Sequence, residues 1–423
     1  MSKQDKLRIG FVSTRLEGTD GVSLEAFKWA KVLAEFGHEC FYFAGACDQP
    51  ADRSRVVPPA HFQHALIQQI NQDLFDDHRR SRATTDAIHD VWRTLEESLR
   101  EFVADFAIDV LIVENALSLP MNVPLGMALT SLIVEANIPT IAHHHDFIWE
   151  RPRYNIHAAG DFLHAAFPPV MPHIHNVVIN SYAATQLARR TGMRSTVIPN
   201  VMDFENPPSE PDEFAKTLRL ELGLSNDELL LLQPTRVVPR KRIERSVELA
   251  ARLERPCTLV VTHSSNDEGH EYKIYLEELA RRFGIKVVFS SEKFAFHRHN
   301  TDKGNRVFSL SDAYQQADLV TYPSIVEGFG NAFLEAIYFR RPLVMCHYEI
   351  FQADIKPKGF EVIEFGEFTT QQTVAEVRDL LPDSQRVSDM TDRNYDLGLR
   401  HFSFTSLRRR LHMLIDHLFG RLY

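Results

Sequence analysis

The sequence predicts an α/β protein made of two doubly wound, parallel-sheet domains. Three observations carry this. Short apolar runs bounded by turn residues recur along the chain with helical stretches between them, the pattern of parallel strands joined by crossover helices. The 423 residues, 44% hydrophobic and 10% aromatic, exceed what one core fills, since cores stop growing near about 250 to 300 residues. A polar, proline-rich interruption falls near the middle of the chain.

The first sheet is expected from 7–14 (LRIGFVST), 40–44 (CFYFA), 109–115 (DVLIVEN), 139–145 (PTIAHHH), 176–181 (NVVINS) and 195–199 (STVIP). A long polar stretch from His61 to Phe106 reads as an insertion of one or two helices, with Leu66, Ile70 and Leu74 at helical spacing. At 203–213 the run DFENPPSEPDE holds three prolines and five acidic residues, with nothing that promises to pack, and serves as the interdomain linker. Strand-like runs resume at 229–236 (LLLLQPTR), 257–262 (CTLVVT), 286–290 (KVVFS), 318–323 (DLVTYP) and 342–346 (PLVMC), separated by helices such as IERSVELAARLE. The final stretch is helical, with Leu407, Leu411 and Leu414 on one face. The domains are therefore expected at 1–205 and 206–400, with 401–423 as a C-terminal helix packing back on either one. Two such domains leave a cleft lined by strand carboxyl ends, where ligands bind in these sheets.

Composition narrows the function. Fifty-seven acidic against 47 basic residues give a formal charge of −10, which argues against a surface that tracks nucleic-acid phosphates. Any anionic ligand must then be met by a local basic spot. Four cysteines, Cys40, Cys47, Cys257 and Cys346, lie far from any CxxC spacing and read as reduced thiols. The N-terminus lacks an apolar signal segment, and no apolar run approaches the roughly 20 residues that span a bilayer. A cytoplasmic protein without a transmembrane segment is expected, with peripheral membrane contact left open.

Residues 327–335, EGFGNAFLE, follow a predicted strand and open a predicted helix, so the glycines fall at a strand-to-helix turn. Such a turn exposes backbone N–H groups at the positive end of a helix dipole. Gly328 and Gly330 allow close backbone approach, and Asn331 either caps the helix or offers its side chain to a ligand. Glu335 lies about 7 to 8 Å along the helix from Gly330, at roughly 1.5 Å per residue. Carboxylates accept hydrogen bonds from hydroxyls, so Glu327 and Glu335 suit the sugar and ribose flanking a diphosphate. The blander alternative is a glutamate preceding a helix and another on its solvated face. At 233–242, QPTRVVPRKR delivers Arg236, Arg240, Lys241 and Arg242 past a strand end, a cluster suited to charge growing on a departing diphosphate, or an ordinary solvated loop.

Arg236 with Lys241, followed later by Glu327-Gly-Phe-Gly and Glu335, resembles the signature of the retaining glycosyltransferase family 4 enzymes of the GT-B fold. The N-terminal GTDGVSLEAFKWAKVLAEFGHE is similar to that family's first glycine loop and helix. The resemblance implies two Rossmann-like domains, the second holding a nucleotide sugar and the first an acceptor. It implies Arg236 and Lys241 on the diphosphate, Glu327 on the transferred sugar with the N–H groups of Phe329, Gly330 and Asn331, and Glu335 on the ribose. One departure is visible: the family often has Lys-Gly where this chain has Lys241-Arg242.

In the first domain, 143–150 reads HHHDFIWE. Side chains alternate along a strand, so His143 and His145 share a face and His144 takes the other. His145, at the strand end, is the position where the family commonly places a histidine near the reacting sugar, with Asp146 orienting it. Metal is expected to be absent, because adjacent histidines on opposite faces chelate poorly. Asp146, Arg151, Arg153 and Tyr154 lie just past this strand and are candidates for a polar acceptor. Gly21, in the turn Gly18-Thr19-Asp20-Gly21, is a candidate for donor approach, although the turn lacks GxGxxG spacing. The polar run 297–306, HRHNTDKGNR, is placed near the nucleotide base by the resemblance.

The expected activity is metal-independent, retaining hexosyl transfer from a nucleoside diphosphate sugar, of UDP-glucose or GDP-mannose type, to a small hydroxylated acceptor, with no cofactor and no nucleic-acid partner. The rival readings are a disaccharide phosphorylase of the trehalose-phosphorylase type, a nucleotide-sugar epimerase, and a non-catalytic nucleotide-sugar binding protein.

Overall fold

The computed structural model describes residues 6–18, 20–225, 227–264, 270–295, 297–301 and 304–418. It divides into two compact units, Met1–Asn200 with Leu407–Tyr423, and Val201–Ser406.

The first unit carries β1 (Arg8–Val12), β2 (Glu39–Ala44), β3 (Ser54–Val56), β4 (Val110–Glu114), β5 (Thr140–His144), β6 (Ile174–Val178) and β7 (Ser195–Val197). Their order is β3-β2-β1-β4-β5-β6-β7, and the pairings are all parallel. β6 begins earlier than the expected 176–181 run and ends at Val178; Asn180 instead caps the next helix, its Oδ1 accepting from the Ala183 N–H at 2.7 Å. β3, too short and polar to stand out in the sequence, forms one edge.

Two helices, Ala65–Leu74 and Arg82–Asp105, fill the insertion. The longer one starts at Ser81, whose Oγ accepts from the Thr84 N–H at 3.0 Å, and buries Ile88, Val91, Leu95, Leu99 and Phe102 on one stripe. Burying each such side chain contributes about 1.5–3 kcal/mol. Strand and helix meet closely enough that a Cβ at Gly10 would lie 2.8 Å from the Phe102 ring. The shorter helix buries Ile67, Ile70 and Leu74, whereas Leu66 is 41% exposed, so its apolar face is rotated from the one expected. In the last helix, Phe404–Leu418, Leu407, Leu411 and Leu414 are buried as their spacing predicts.

The second unit carries β8 (Leu229–Gln233), β9 (Cys257–Val261), β10 (Lys286–Phe289), β11 (Phe294–Ala295), β12 (His299–Asn300), β13 (Arg306–Ser309), β14 (Leu319–Tyr322), β15 (Leu343–Cys346) and β16 (Ile363–Phe365). Six form a parallel sheet in the order β10-β9-β8-β14-β15-β16, and β11-β13-β12 form a small separate one. This small sheet takes up the 297–306 run. There Arg298 reaches Asp312 (Nε–Oδ2 2.8 Å) and Asp212 (Nη1–Oδ2 2.6 Å), while Asp302 and Lys303 lie outside the described residues.

The linker expectation needs one correction. Phe204 is 1% exposed, its ring packed against Tyr338 and Tyr395, and a Cβ at Gly398 would lie 2.6 Å from it. The Tyr395 hydroxyl donates to the Phe204 carbonyl at 2.7 Å. A single aromatic in a polar, proline-rich run thus anchors the start of the second unit.

Candidate functional site

In each main sheet the chain order reverses beside the first strand of the unit: between β8 and β14 in the second unit, between β1 and β4 in the first. Outside the carboxyl ends of the strands flanking such a reversal, successive crossovers leave in opposite directions and open a crevice.

In the second unit, the loop after β8 brings Arg236, Arg240 and Lys241, and the loop after β14 brings Glu327. Lys241 Nζ and Glu327 Oε1 form an ion pair across the reversal, and Arg240 Nη1 lies 3.9 Å from Glu327 Oε2. The two loops are also tied by the Ile325 N–H donating to the Arg240 carbonyl at 3.4 Å and by the Arg240 side chain, whose Nη1 donates to the Val326 carbonyl at 3.2 Å. Lys241 is 7% exposed. Burial, only partly offset by Glu327, lowers its pKa; burial would raise that of Glu327, but the Lys241 charge outweighs it and holds the carboxyl below its usual range. Tyr322 and Tyr348 stay protonated, burial first and the Glu327 charge with it raising both phenols.

The EGFG turn is shaped by Gly330. Its φ is +111°, outside what an L side chain readily adopts, and a Cβ there would lie 2.2 Å from the Tyr348 hydroxyl. That hydroxyl donates to the Phe329 carbonyl at 2.7 Å and clamps the turn from below. Gly330, not Asn331, is the N-cap of the helix Asn331–Tyr338, and Asn331 is its first residue. The Phe329 ring is buried 5.3 Å from Phe402, so it is this residue's main chain that the turn presents. Glu335, half-buried on the helix, has its Oε2 held by the Tyr314 hydroxyl at 2.7 Å. Arg242 takes the left-handed conformation, φ +49°, at the position where the family signature carries glycine. The loop path is therefore the one glycine favours, adopted here by an arginine.

In the first unit, the loop after β1 carries the glycine turn. Asp20 Oδ1 accepts from the Val22 and Ser23 N–H groups at 3.1 and 3.2 Å, Arg15 pairs with Asp20 at 3.1 Å, and Gly21 opens the helix Gly21–Glu35. Thr19 lies outside the described residues. The end of β4 supplies Glu114, 0% exposed, and the end of β5 supplies His143 and, one residue beyond its last, His145. Glu114 Oε2 lies 2.9 Å from His143 Nδ1 and 3.0 Å from His145 Nε2. His143 also stacks on Trp29, with ring centroids 4.2 Å apart. Burial pushes the Glu114 carboxyl up, but the charge and hydrogen bonds of the two histidines pull it down, to about 2. Burial lowers His143. For His145 burial is again the largest effect, yet the hydrogen bond and charge of Glu114 outweigh it and raise its pKa. The pair is thus an ionised carboxylate beside a histidine biased toward its cation.

Asp146 does not orient His145, as was expected; its Oδ2 pairs with Arg151 Nη2 at 2.7 Å. The orienting groups are Glu114 and Asn115, whose Oδ1 accepts from the His145 and Asp146 N–H groups at 2.7 and 3.3 Å. Both were missed because they sit at a strand end remote in sequence; the signal was an asparagine closing an apolar run, where it takes φ +59°. Tyr154 is 5% exposed, its ring packed 4.8 Å from Phe75 and its hydroxyl accepting from Arg153 Nη2 at 2.5 Å, which makes it a core residue. Adjacent histidines on opposite strand faces are the ground for expecting no metal, and one pair here is not of that kind. The same-face pair His143 and His145, with Glu114 from the adjoining strand, brings three ligand atoms within 4.8 Å of one another, a set with the reach to hold a divalent ion.

Comparison with known proteins bears on the family and the fold. Residues 214–396 match the family model described as glycosyl transferases group 1. The chain is 32% identical over 435 residues to mannosylglucosylglycerate synthase of Thermotoga maritima, covering 95% of this chain and 98% of that one. It is 32% identical over 386 residues to the enzyme of the same name from Petrotoga mobilis, covering 85% and 87%. Among solved structures, its fold is similar to sucrose-phosphate synthase from Thermosynechococcus elongatus, with a TM-score of 0.67 at 15% identity over 99% and 100% of the two chains. It is also similar to Anabaena HepE in complex with UDP and glucose, with a TM-score of 0.64 at 14% identity over 97% and 100%.

Proposed function

The chain belongs to the group 1 glycosyl transferases, and from that premise we propose that it transfers a mannosyl group from a nucleoside diphosphate sugar to a glucosylglycerate-type acceptor, with retention at the anomeric carbon and without a metal. The observation that carries the donor side is the meeting of Lys241 and Glu327 across the β8/β14 reversal, with Arg236 on the same loop as Lys241 and Glu335 on the helix that follows the EGFG glycines. The acceptor class rests on the name shared by two relatives that align with most of this chain.

On this reading the donor exchanges the Lys241–Glu327 contact for two of its own. Lys241 and Arg236 take the diphosphate and Glu327 turns to hydroxyls of the transferred sugar. Main-chain N–H groups of Phe329, Gly330 and Asn331 address the same end of the ligand, and Glu335, fixed by Tyr314, accepts from the ribose. The bond from the anomeric carbon to the phosphate oxygen breaks as the acceptor oxygen bonds on the same face. The acceptor's proton passes to the leaving phosphate. Charge growing on that phosphate is met by groups already in place, which is where most of the rate enhancement arises. His145, charged through Glu114, supplies a hydrogen-bond donor on the acceptor-holding unit.

The test is to incubate the protein with GDP-mannose and glucosylglycerate, with EDTA present, and to read the anomeric coupling of the product by NMR. A retained mannoside formed undiminished in EDTA is expected. An inverted product, a strict metal requirement, or phosphate-dependent cleavage of a disaccharide without nucleotide would overturn the reading.

A further inference from the structure

We propose that His263, at the carboxyl end of β9, is a third diphosphate ligand of the donor site, donating from Nε2 to a phosphate oxygen of a nucleoside diphosphate. This rests on the reading of the second unit as the donor-holding one. β8 and β9 are adjacent and parallel with Gln233 opposite Val261, so Arg236 and His263 emerge side by side from neighbouring strand ends. The two loops are joined by main chain, the Val237 N–H donating to the Ser264 carbonyl at 3.3 Å. The ring is fixed from one side, with Nδ1 2.9 Å from Thr262 Oγ1. When that hydroxyl donates to Nδ1, the ring proton sits on Nε2, the geometry a phosphate oxygen needs.

The electrostatics of the position agree. Burial, then Lys241, then Arg236 push the imidazole down to about 4. Those two cations are the charged groups that act on the ring, and Lys241 is itself paired with Glu327. A half-buried histidine among cations is held neutral until an anion arrives between them. A diphosphate supplies that anion, strengthens the Nε2–H bond and raises the proton affinity of the ring.

The experiment is isothermal titration of the full chain with UDP and GDP, and with the corresponding nucleosides. For whichever nucleoside diphosphate the parent binds, His263→Ala is expected to weaken affinity about tenfold, the worth of one hydrogen bond to a charged group. Nucleoside affinity should stay unchanged. His263→Gln, which keeps a donor, should lose less affinity and serves as the control that the loop still folds. Unchanged affinity for the diphosphate, or an equal loss for nucleoside and diphosphate, would overturn the assignment. A parent that binds neither nucleoside diphosphate would overturn the donor reading and this assignment with it.

Discussion

The two chain reversals share one topology and carry opposite chemistry. At β8/β14 the groups are a lysine and a glutamate on separate loops, flanked by arginines and a helix start. At β1/β4, with the adjoining end of β5, they are a fully buried carboxylate and two histidines in one compact knot. The first set is an ion pair between two loops, which on the proposed reading a nucleotide sugar would exchange for contacts of its own. The second is a set of groups committed to one another, with Glu114 serving mainly to fix the orientation and charge of His145. A doubly wound sheet therefore supplies the location, and the residues at the strand ends decide whether the location binds or positions.

That contrast can be broken at several points, beginning where the effect is largest. Lys241→Met should lower the transfer rate at least a hundredfold, about 3 kcal/mol of transition-state stabilisation, measured as initial rates with saturating donor. The same change strands Glu327 and should destabilise the fold by about 3–5 kcal/mol in urea denaturation, most of it regained in Lys241→Met/Glu327→Gln. A single variant as stable as the double would show that the pair is not coupled.

Next is Glu114→Gln, which keeps the shape of the histidine knot and removes its charge, at a cost of about 2 kcal/mol. The carboxyl is held below its ordinary 4.5, so its contribution is present above that value and lost as pH falls through the folded pKa. The histidine is held above its ordinary 6.5, so its contribution is present below 6.5 and lost as pH rises through its folded value. The stability difference between parent and variant should be greatest between these two ordinary values and shrink on both sides. A difference flat with pH would mean that the knot acts by packing alone.

Glu335→Ala should weaken donor binding about tenfold by calorimetry while leaving the melting temperature within a few degrees, since Glu335 is half-buried and its partner Tyr314 retains a contact to the Ala332 carbonyl. The smallest effect is expected for Arg242→Gly. It relieves a left-handed non-glycine residue while loosening the unfolded chain, so stability should change by less than about 1 kcal/mol, in the stabilising direction. A clear loss would show that the 3.5 Å pairing of Arg242 with Glu244 outweighs the backbone preference.

The sequence alone determined all but two strands of the two main sheets to within a few residues, the helical insertion, the C-terminal leucine stripe and the EGFGNAFLE turn. Those are local properties: period, turn chemistry and propensity act over a handful of residues, and strand-end motifs have fixed offsets. Tertiary structure decided what the charged groups do. Lys241 and Glu327 are 86 residues apart, and Glu114 stands 31 from His145, so their pairing depends on which strands lie side by side. It also decided that Phe204 and Tyr154 belong to cores, where their neighbourhoods in sequence suggested a linker and an acceptor surface. The edge strands β3 and β16 were invisible for a related reason: each is three residues long, and its strand state is conferred by the neighbour it pairs with.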